Sequence, residues 1–194
     1  MRLLMIAPPG AGKGTQAELI AARYGIAHLS SGELLRREVA AGSPIGREAA
    51  VYLERGDLVP DDLVLSVLGG PLMEAAKSGG YVLDGFPRTR AQAEEAYRMA
   101  RQVSGVELQA VIHLRVRRSE LRRRLLERAR VEERIDDTPE VIDHRLHVYE
   151  TETAPILDFY GGRGLVIDVD GEGTVDEVFD SIVAALEPLR AGLA

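Results

Sequence analysis

The sequence predicts an α/β fold in which a five-stranded parallel sheet is flanked by helices on both faces. Short apolar runs alternate with stretches of helical period along the whole chain. Cap and turn residues mark several of the junctions between them. With 194 residues, 45% of them apolar, the chain has material for one compact domain with a real core, and two full domains would be cramped.

Taken in order, "RLLMIA" (2–7), "AHLS" (27–30), "YVLD" (81–84), "AVIHLRV" (110–116) and "LVIDV" (165–169) read as buried strands. Helices are expected over roughly 13–24, 31–41, 44–55, 61–77, 89–101, 118–128, 139–160 and 174–187. The first ends at Gly25. Ser43 before Pro44 and Thr138 before Pro139 each place a capping hydroxyl ahead of a proline at the first helical position. No internal repeat, low-complexity tract or linker interrupts the alternation. Ligands of such sheets bind beyond the carboxyl ends of the strands. Ala7–Thr15, Ser30–Arg36 and Asp84–Arg88 all fall there, and all are rich in reactive or anion-binding residues.

Composition narrows the function classes. The chain has no cysteine, which excludes a disulfide framework and a thiolate metal site. The opening "MRLLMIAPPG" has too short an apolar run for a signal peptide, and no run approaches the ~20 apolar residues of a membrane span. A cytoplasmic protein that uses no membrane is the expectation. A formal net charge of −7 argues against nucleic acid as a partner. Lys13 and Lys77 are the only lysines, and arginine supplies every other basic side chain. In "RVRRSELRRRLLERARVEER" (115–134) glutamates interleave with the arginines, which suits a solvated helix better than an RNA-binding arm.

The stretch "MIAPPGAGKGTQ" (5–16) nearly matches the phosphate-loop pattern G-x-x-x-x-G-K-[ST] and misses it at both ends. Ala7 stands at the first glycine position and Gly14 at the hydroxyl position. A strand precedes the loop and a helix follows, so backbone N–H groups and a helix N-terminus converge on an anion. Gly10, Gly12 and Gly14 let the backbone approach phosphates, Lys13 adds positive charge, and Thr15 keeps a hydroxyl in the first helical turn. This context selects a phosphate loop over a plain tight turn. Asp84, at the end of an apolar strand, suits magnesium held directly or through water, the other role being a helix cap.

"PPGAGKGTQ" closely resembles the loop of adenylate kinases and their nucleoside monophosphate kinase relatives. "HLSSGELLR" (28–36), "GDLVPDD" (56–62), "LDGFPRT" (83–89) with Gln92, "RIDDTPEVIDHRL" (134–146) and "DGEGTVDEVF" (170–179) are similar to further segments of that family, in family order. The resemblance implies a P-loop NTPase fold with a monophosphate-binding insert over 30–59 and a short lid over 127–137. It implies Mg·ATP and AMP giving two ADP, by a monomer. It places ATP on Gly10, Ala11, Gly12, Lys13, Gly14 and Thr15, with Arg124, Arg128 and Gly173 beyond the loop. AMP falls to Ser31, Arg36, Asp57, Leu58 and Val59, then to Gly85, Phe86, Pro87, Arg88 and Gln92, with Arg134 and Arg145. The groups expected at the transferred phosphoryl are Lys13, Arg88, Arg128, Arg134 and Arg145, and Asp84 holds magnesium through water. With five residues between Arg128 and Arg134 and no cysteine, a structural zinc is excluded.

The chemistry agrees with that implication. The attacking phosphate is already ionised, so catalysis rests on positioning and charge neutralisation rather than on a base. Guanidinium forks suit phosphate oxygens. A CMP/UMP kinase is the nearest alternative, distinguished by an asparagine where Gln92 stands. A kinase for a small hydroxyl acceptor would need a base and fewer arginines. A GTPase-like switch would need N-K-x-D, and neither lysine follows an asparagine. Asp136 and Asp137 are helix caps or partners of the lid arginines, and Arg130, Glu132 and Glu133 carry no assigned role.

Overall fold

Five short strands, β1 (Arg2–Ile6), β2 (Ala27–Ser30), β3 (Tyr81–Asp84), β4 (Ala110–Arg115) and β5 (Val166–Asp170), pair in parallel in the order β2-β3-β1-β4-β5. The computed structural model describes residues 1–103, 105–132 and 138–191. The central strand shows why these runs read as continuous apolar segments. Leu3 and Met5 of β1 join one core cluster and Leu4 and Ile6 the other, all buried. A strand covered on both faces has no polar side to display.

One face is covered by α1 (Lys13–Tyr24), α6 (Arg118–Glu132), α7 (Pro139–Val148) and α9 (Val175–Ala191). These helices contribute Ile20, Leu125, Ile142 and Ile182 to the core. The other face carries α2 (Ser31–Ala40), α3 (Pro44–Arg55), α4 (Asp61–Lys77), α5 (Arg90–Ala100) and α8 (Ile156–Gly161). Their contributions include Leu35, Ala49, Leu68, Ala93 and Phe159. The expected caps form: Ser43 Oγ accepts from Gly46 N at 2.9 Å, and Thr138 Oγ1 accepts from Val141 N at 3.3 Å. Gly25, at φ 65°, closes α1 in the left-handed region that favours glycine.

Three boundaries differ from the sequence expectation. The single helix expected over 139–160 is two helices joined by a π turn, Tyr149–Thr153. Pro155 has no N–H for the carbonyl one turn earlier, and the chain widens instead, with Ala154 N donating to Tyr149 O at 2.8 Å. α9 runs on through Pro188, whose ring removes one backbone donor, while Leu186 and Leu189 on either side of it hold the helix against the core. α6 extends to Glu132, so the first part of the expected lid continues a helix.

Strand register positions the site. Asp84 of β3 pairs with Met5 on one side and with Ser30 on the other. Three strands therefore end level, and the segments following β1, β2 and β3 open onto one edge of the sheet.

Candidate active site

β1 closes at Ile6, and buried Ala7 follows it into the loop. Gly12, the cap of α1, has φ 88°, and a Cβ there would meet nothing within 4 Å. Its requirement is conformational: the backbone must be left-handed for the N–H groups of the first turn to face one point. Gly10 is constrained by packing as well, because its Cβ would lie 2.8 Å from Leu125 Cγ and 3.0 Å from Leu121 O. The loop thus sits directly on α6, the arginine-rich helix.

Lys13 turns back over the loop and donates to Ala7 O at 2.8 Å and Pro8 O at 3.3 Å. Alanine at position 7 therefore still supplies the carbonyl that steadies the lysine. Desolvation brings the Lys13 ammonium down to about 8; Asp84 pulls it back up, and Arg88, Arg145 and Arg128 push it further down. A polyanion would relieve that repulsion.

A cleft of about 390 Å³ opens beside the lysine. Gly10, Gly12, Gly14 and Thr15 line it together with Arg36, Arg88, Arg124, Arg128 and Arg145. Among the described residues its acids are Asp84, Glu18 and Glu33, and no histidine lines it. Arg88 is aimed by its own loop, with Nε donating to Gly85 O at 2.7 Å, while Thr153 Oγ1 donates to Arg88 O at 2.8 Å. Burial lowers the Arg88 pKa from its ordinary value, and Asp84 opposes the shift. Gly85 has φ 87°, and a Cβ there would sit 2.6 Å from Ser31 Oγ and 3.2 Å from an Arg88 nitrogen. Only glycine leaves Arg88 that path. The Phe86–Pro87 peptide that follows is cis. Asp84 itself is buried, and its Oδ1 has no hydrogen-bond partner among the described residues.

A smaller pocket adjoins the cleft, lined by Ser31, Leu35, Leu53, Leu58, Val59, Val64, Gly85, Phe86, Arg88 and Gln92. Most of the residues expected to meet the monophosphate base are thus together. Asp57 lines neither the cleft nor this pocket. Its carboxylate lies 2.7 Å from His144 Nε2 on α7. Gln92 is committed in a way the sequence reading missed. Its Oε1 accepts from Arg88 N at 2.6 Å and Thr89 N at 3.3 Å, Thr89 Oγ1 accepts from Gln92 N at 3.2 Å, and its Nε2 donates to Asp61 Oδ1. The Thr89–Gln92 part is a capping box on α5, legible as T-x-x-Q. The Asp61 contact has no local signature.

On the far side of the loop, a second cleft is bordered by Gly10, Ala11, Gly12 and Thr15, by Arg117, Arg123 and Arg124, and by the Gly171–Val175 segment with Gly173. Arg124 Nη1 donates to Gly171 O at 3.1 Å and its Nε to Glu120 at 2.7 Å, tying α6 to that segment. Arg117 holds the same segment through Glu172. Arg134, Asp136, Asp137 and Glu133 lie outside the described residues. Among the described residues no group of three or more His, Cys, Asp or Glu side chains could hold a metal ion, and no helix is long and apolar enough to cross a membrane.

Comparison with known proteins gives a consistent result. A family model described as "Adenylate kinase" matches residues 5–165. The chain is 48% identical over 185 residues to the adenylate kinase of Prochlorococcus marinus, covering 95% of this chain and 96% of the relative. It is 46% identical over 186 residues to that of Kocuria rhizophila (96% and 98% covered) and 43% identical over 187 residues to that of Thermobifida fusca (96% and 98% covered).

Proposed function

The chain belongs to the adenylate kinase family, and from that premise we infer how its residues divide the work of an ATP:AMP phosphotransferase. The reaction moves the terminal phosphoryl group of ATP to AMP, reversibly, giving two ADP. One observation carries the assignment of the site: among the described residues, Lys13 and five arginines converge on a single cleft that no histidine lines. Two phosphate chains must be brought together against their own repulsion, and an already ionised nucleophile needs no proton removed.

In this reading the loop 10–15 wraps the ATP phosphates, and its backbone N–H groups take the negative charge. Arg124 and Gly173 border the place of the ATP base. Arg36 and Arg88 clamp the AMP phosphate, and Ser31, Leu58, Val59, Phe86 and Gln92 enclose its base. Arg128 and Arg145, with Arg134, neutralise charge on the group in transfer. The segment 30–59 with its monophosphate, and the short lid 127–137, close to exclude water, since an accessible site would hydrolyse ATP. The cleft fits Mg²⁺ carried by ATP: the buried, unpartnered Asp84 Oδ1 suits a contact through a metal-bound water. Magnesium would supply charge neutralisation between the phosphates. Function as a cytoplasmic monomer belongs to the same proposal.

The test is stoichiometry. Purified protein with ATP, AMP and Mg²⁺ should form two ADP for each ATP consumed, and chelating the divalent ion should stop the reaction. ATP hydrolysis independent of AMP would overturn the reading.

A further inference from the structure

Asp61 opens α4 and is exposed, yet its Oδ1 accepts a hydrogen bond from Gln92 Nε2, 31 positions later in the chain. We propose that Asp61 is a positioning residue that locks the Gln92 amide, so that the base pocket presents an N–H and selects bases with a lone pair on the ring nitrogen facing it. The inference deepens the adenylate kinase reading and rests on it.

The lock has two sides. Gln92 Oε1 already takes Arg88 N and Thr89 N, and Nε2 faces the Asp61 carboxylate. Turning the amide over would put its oxygen against a carboxylate and its NH₂ against two backbone N–H groups. Both contacts are repulsive, so the sense of the amide follows from the network. With the oxygen spent and one N–H given to Asp61, one N–H remains for a ligand. Gln92 is buried and lines the pocket with Ser31, Leu35, Val59, Val64 and Phe86. A donor left unpaired among such groups is costly, which turns its presence into selectivity. Adenine N1 and cytosine N3 accept; hypoxanthine N1–H and uracil N3–H donate and would oppose it.

The experiment measures kcat and KM for AMP, IMP, CMP and UMP with Mg·ATP, in the wild type and in Asp61→Leu, Asp61→Asn and Asp62→Ala. Asp62 shares the first turn of α4, so its variant carries the helix-end charge effect without the amide contact. The wild type should prefer AMP to IMP and CMP to UMP. Asp61→Leu should raise the KM for AMP and reduce the AMP-to-IMP preference by on the order of tenfold, the scale of one hydrogen bond to a charged group. Its KM for ATP should hold. Asp61→Asn, which keeps an acceptor, should recover most of the preference, and Asp62→Ala should leave it intact. In a Gln92→Leu background, Asp61→Leu should add no further loss. An AMP-to-IMP preference in Asp61→Leu equal to that in Asp62→Ala, with the wild type active on AMP, would overturn the positioning role alone. A wild type that transfers nothing to AMP would overturn the family reading and this inference with it.

Discussion

The phosphate cleft and the base pocket of the proposed reading lie side by side and would recognise by opposite means. The cleft is dense in charge, with Lys13 and five arginines lining it. The pocket is lined mainly by apolar side chains, and in the proposed reading one buried amide with a fixed sense supplies its discrimination. Charge attracts any phosphate chain, so in the proposed reading the cleft would provide catalytic power with little selectivity, and the pocket selectivity with little power. Breaking the first should therefore cost rate, and breaking the second should cost choice.

Lys13→Ala should give the largest effect, a loss of several orders of magnitude in kcat, because transition-state charge is left uncompensated. It should leave the fold intact. Burial holds Lys13 at about 8, below its ordinary value, so the charged form opposes folding below that pH. A well-folded variant with near wild-type turnover would remove the lysine from the site.

Arg88→Lys comes next, with about a hundredfold loss of kcat/KM expected. It keeps the charge but loses the fork and the Nε bond to Gly85 O. The melting temperature should move little. A sharp fall in stability with activity retained would make Arg88 a structural cation.

The same contrast explains what the sequence could disclose. The cleft was legible because its parts are local. A strand, a glycine turn and a helix follow one another at 2–24, and the β3 end at Asp84 leads directly into Arg88. The sheet was legible because the inner strands β1 and β3 and most of β4 are buried on both faces and so run apolar without alternation. The π turn at Tyr149–Thr153 was hidden, since Pro155 permits either a helix end or a widened turn and packing decides. The commitment of Gln92 was half legible. Its capping box with Thr89 is a three-residue pattern, whereas Asp61 reaches it from the start of α4, a contact 31 positions apart that no local pattern announces. The two helical caps at Ser43 and Thr138 formed as read, because a hydroxyl before proline acts within a single turn.

Gln92→Leu should change choice more than rate. The preference for AMP over IMP and UMP should fall by about ten- to hundredfold, mainly through AMP, because a mismatch at a buried amide is worth roughly 1–3 kcal/mol. The capping box adds a consequence: stability should drop by about 1 kcal/mol as α5 loses a reciprocal cap. The KM for ATP should stay near the wild-type value. An unchanged base preference would take Gln92 out of the pocket.

The smallest effect is a fraction of a proton. In the free protein near pH 8, Lys13 is partly deprotonated, and a phosphate chain would raise its pKa by relieving the repulsion of its arginine neighbours. ATP binding at pH 8 should therefore take up protons, and affinity should weaken as pH rises through 8. Titration calorimetry in buffers of different ionisation enthalpy reads the uptake, and Lys13→Ala should abolish it. Linkage gives stability the opposite sense: it should rise between about 8 and the ordinary lysine value near 10.5, where the unfolded chain binds more protons than the folded one. Proton release on binding would contradict the placement of Lys13.

The comparison of kcat/KM for AMP, CMP and UMP by the wild-type protein with Mg·ATP tests the central claim most directly, because it needs both regions at once. The account predicts ready transfer to AMP, and a preference over UMP of about ten- to hundredfold from one buried hydrogen-bond mismatch, which CMP is spared because its N3 accepts. Equal use of AMP and UMP would contradict it.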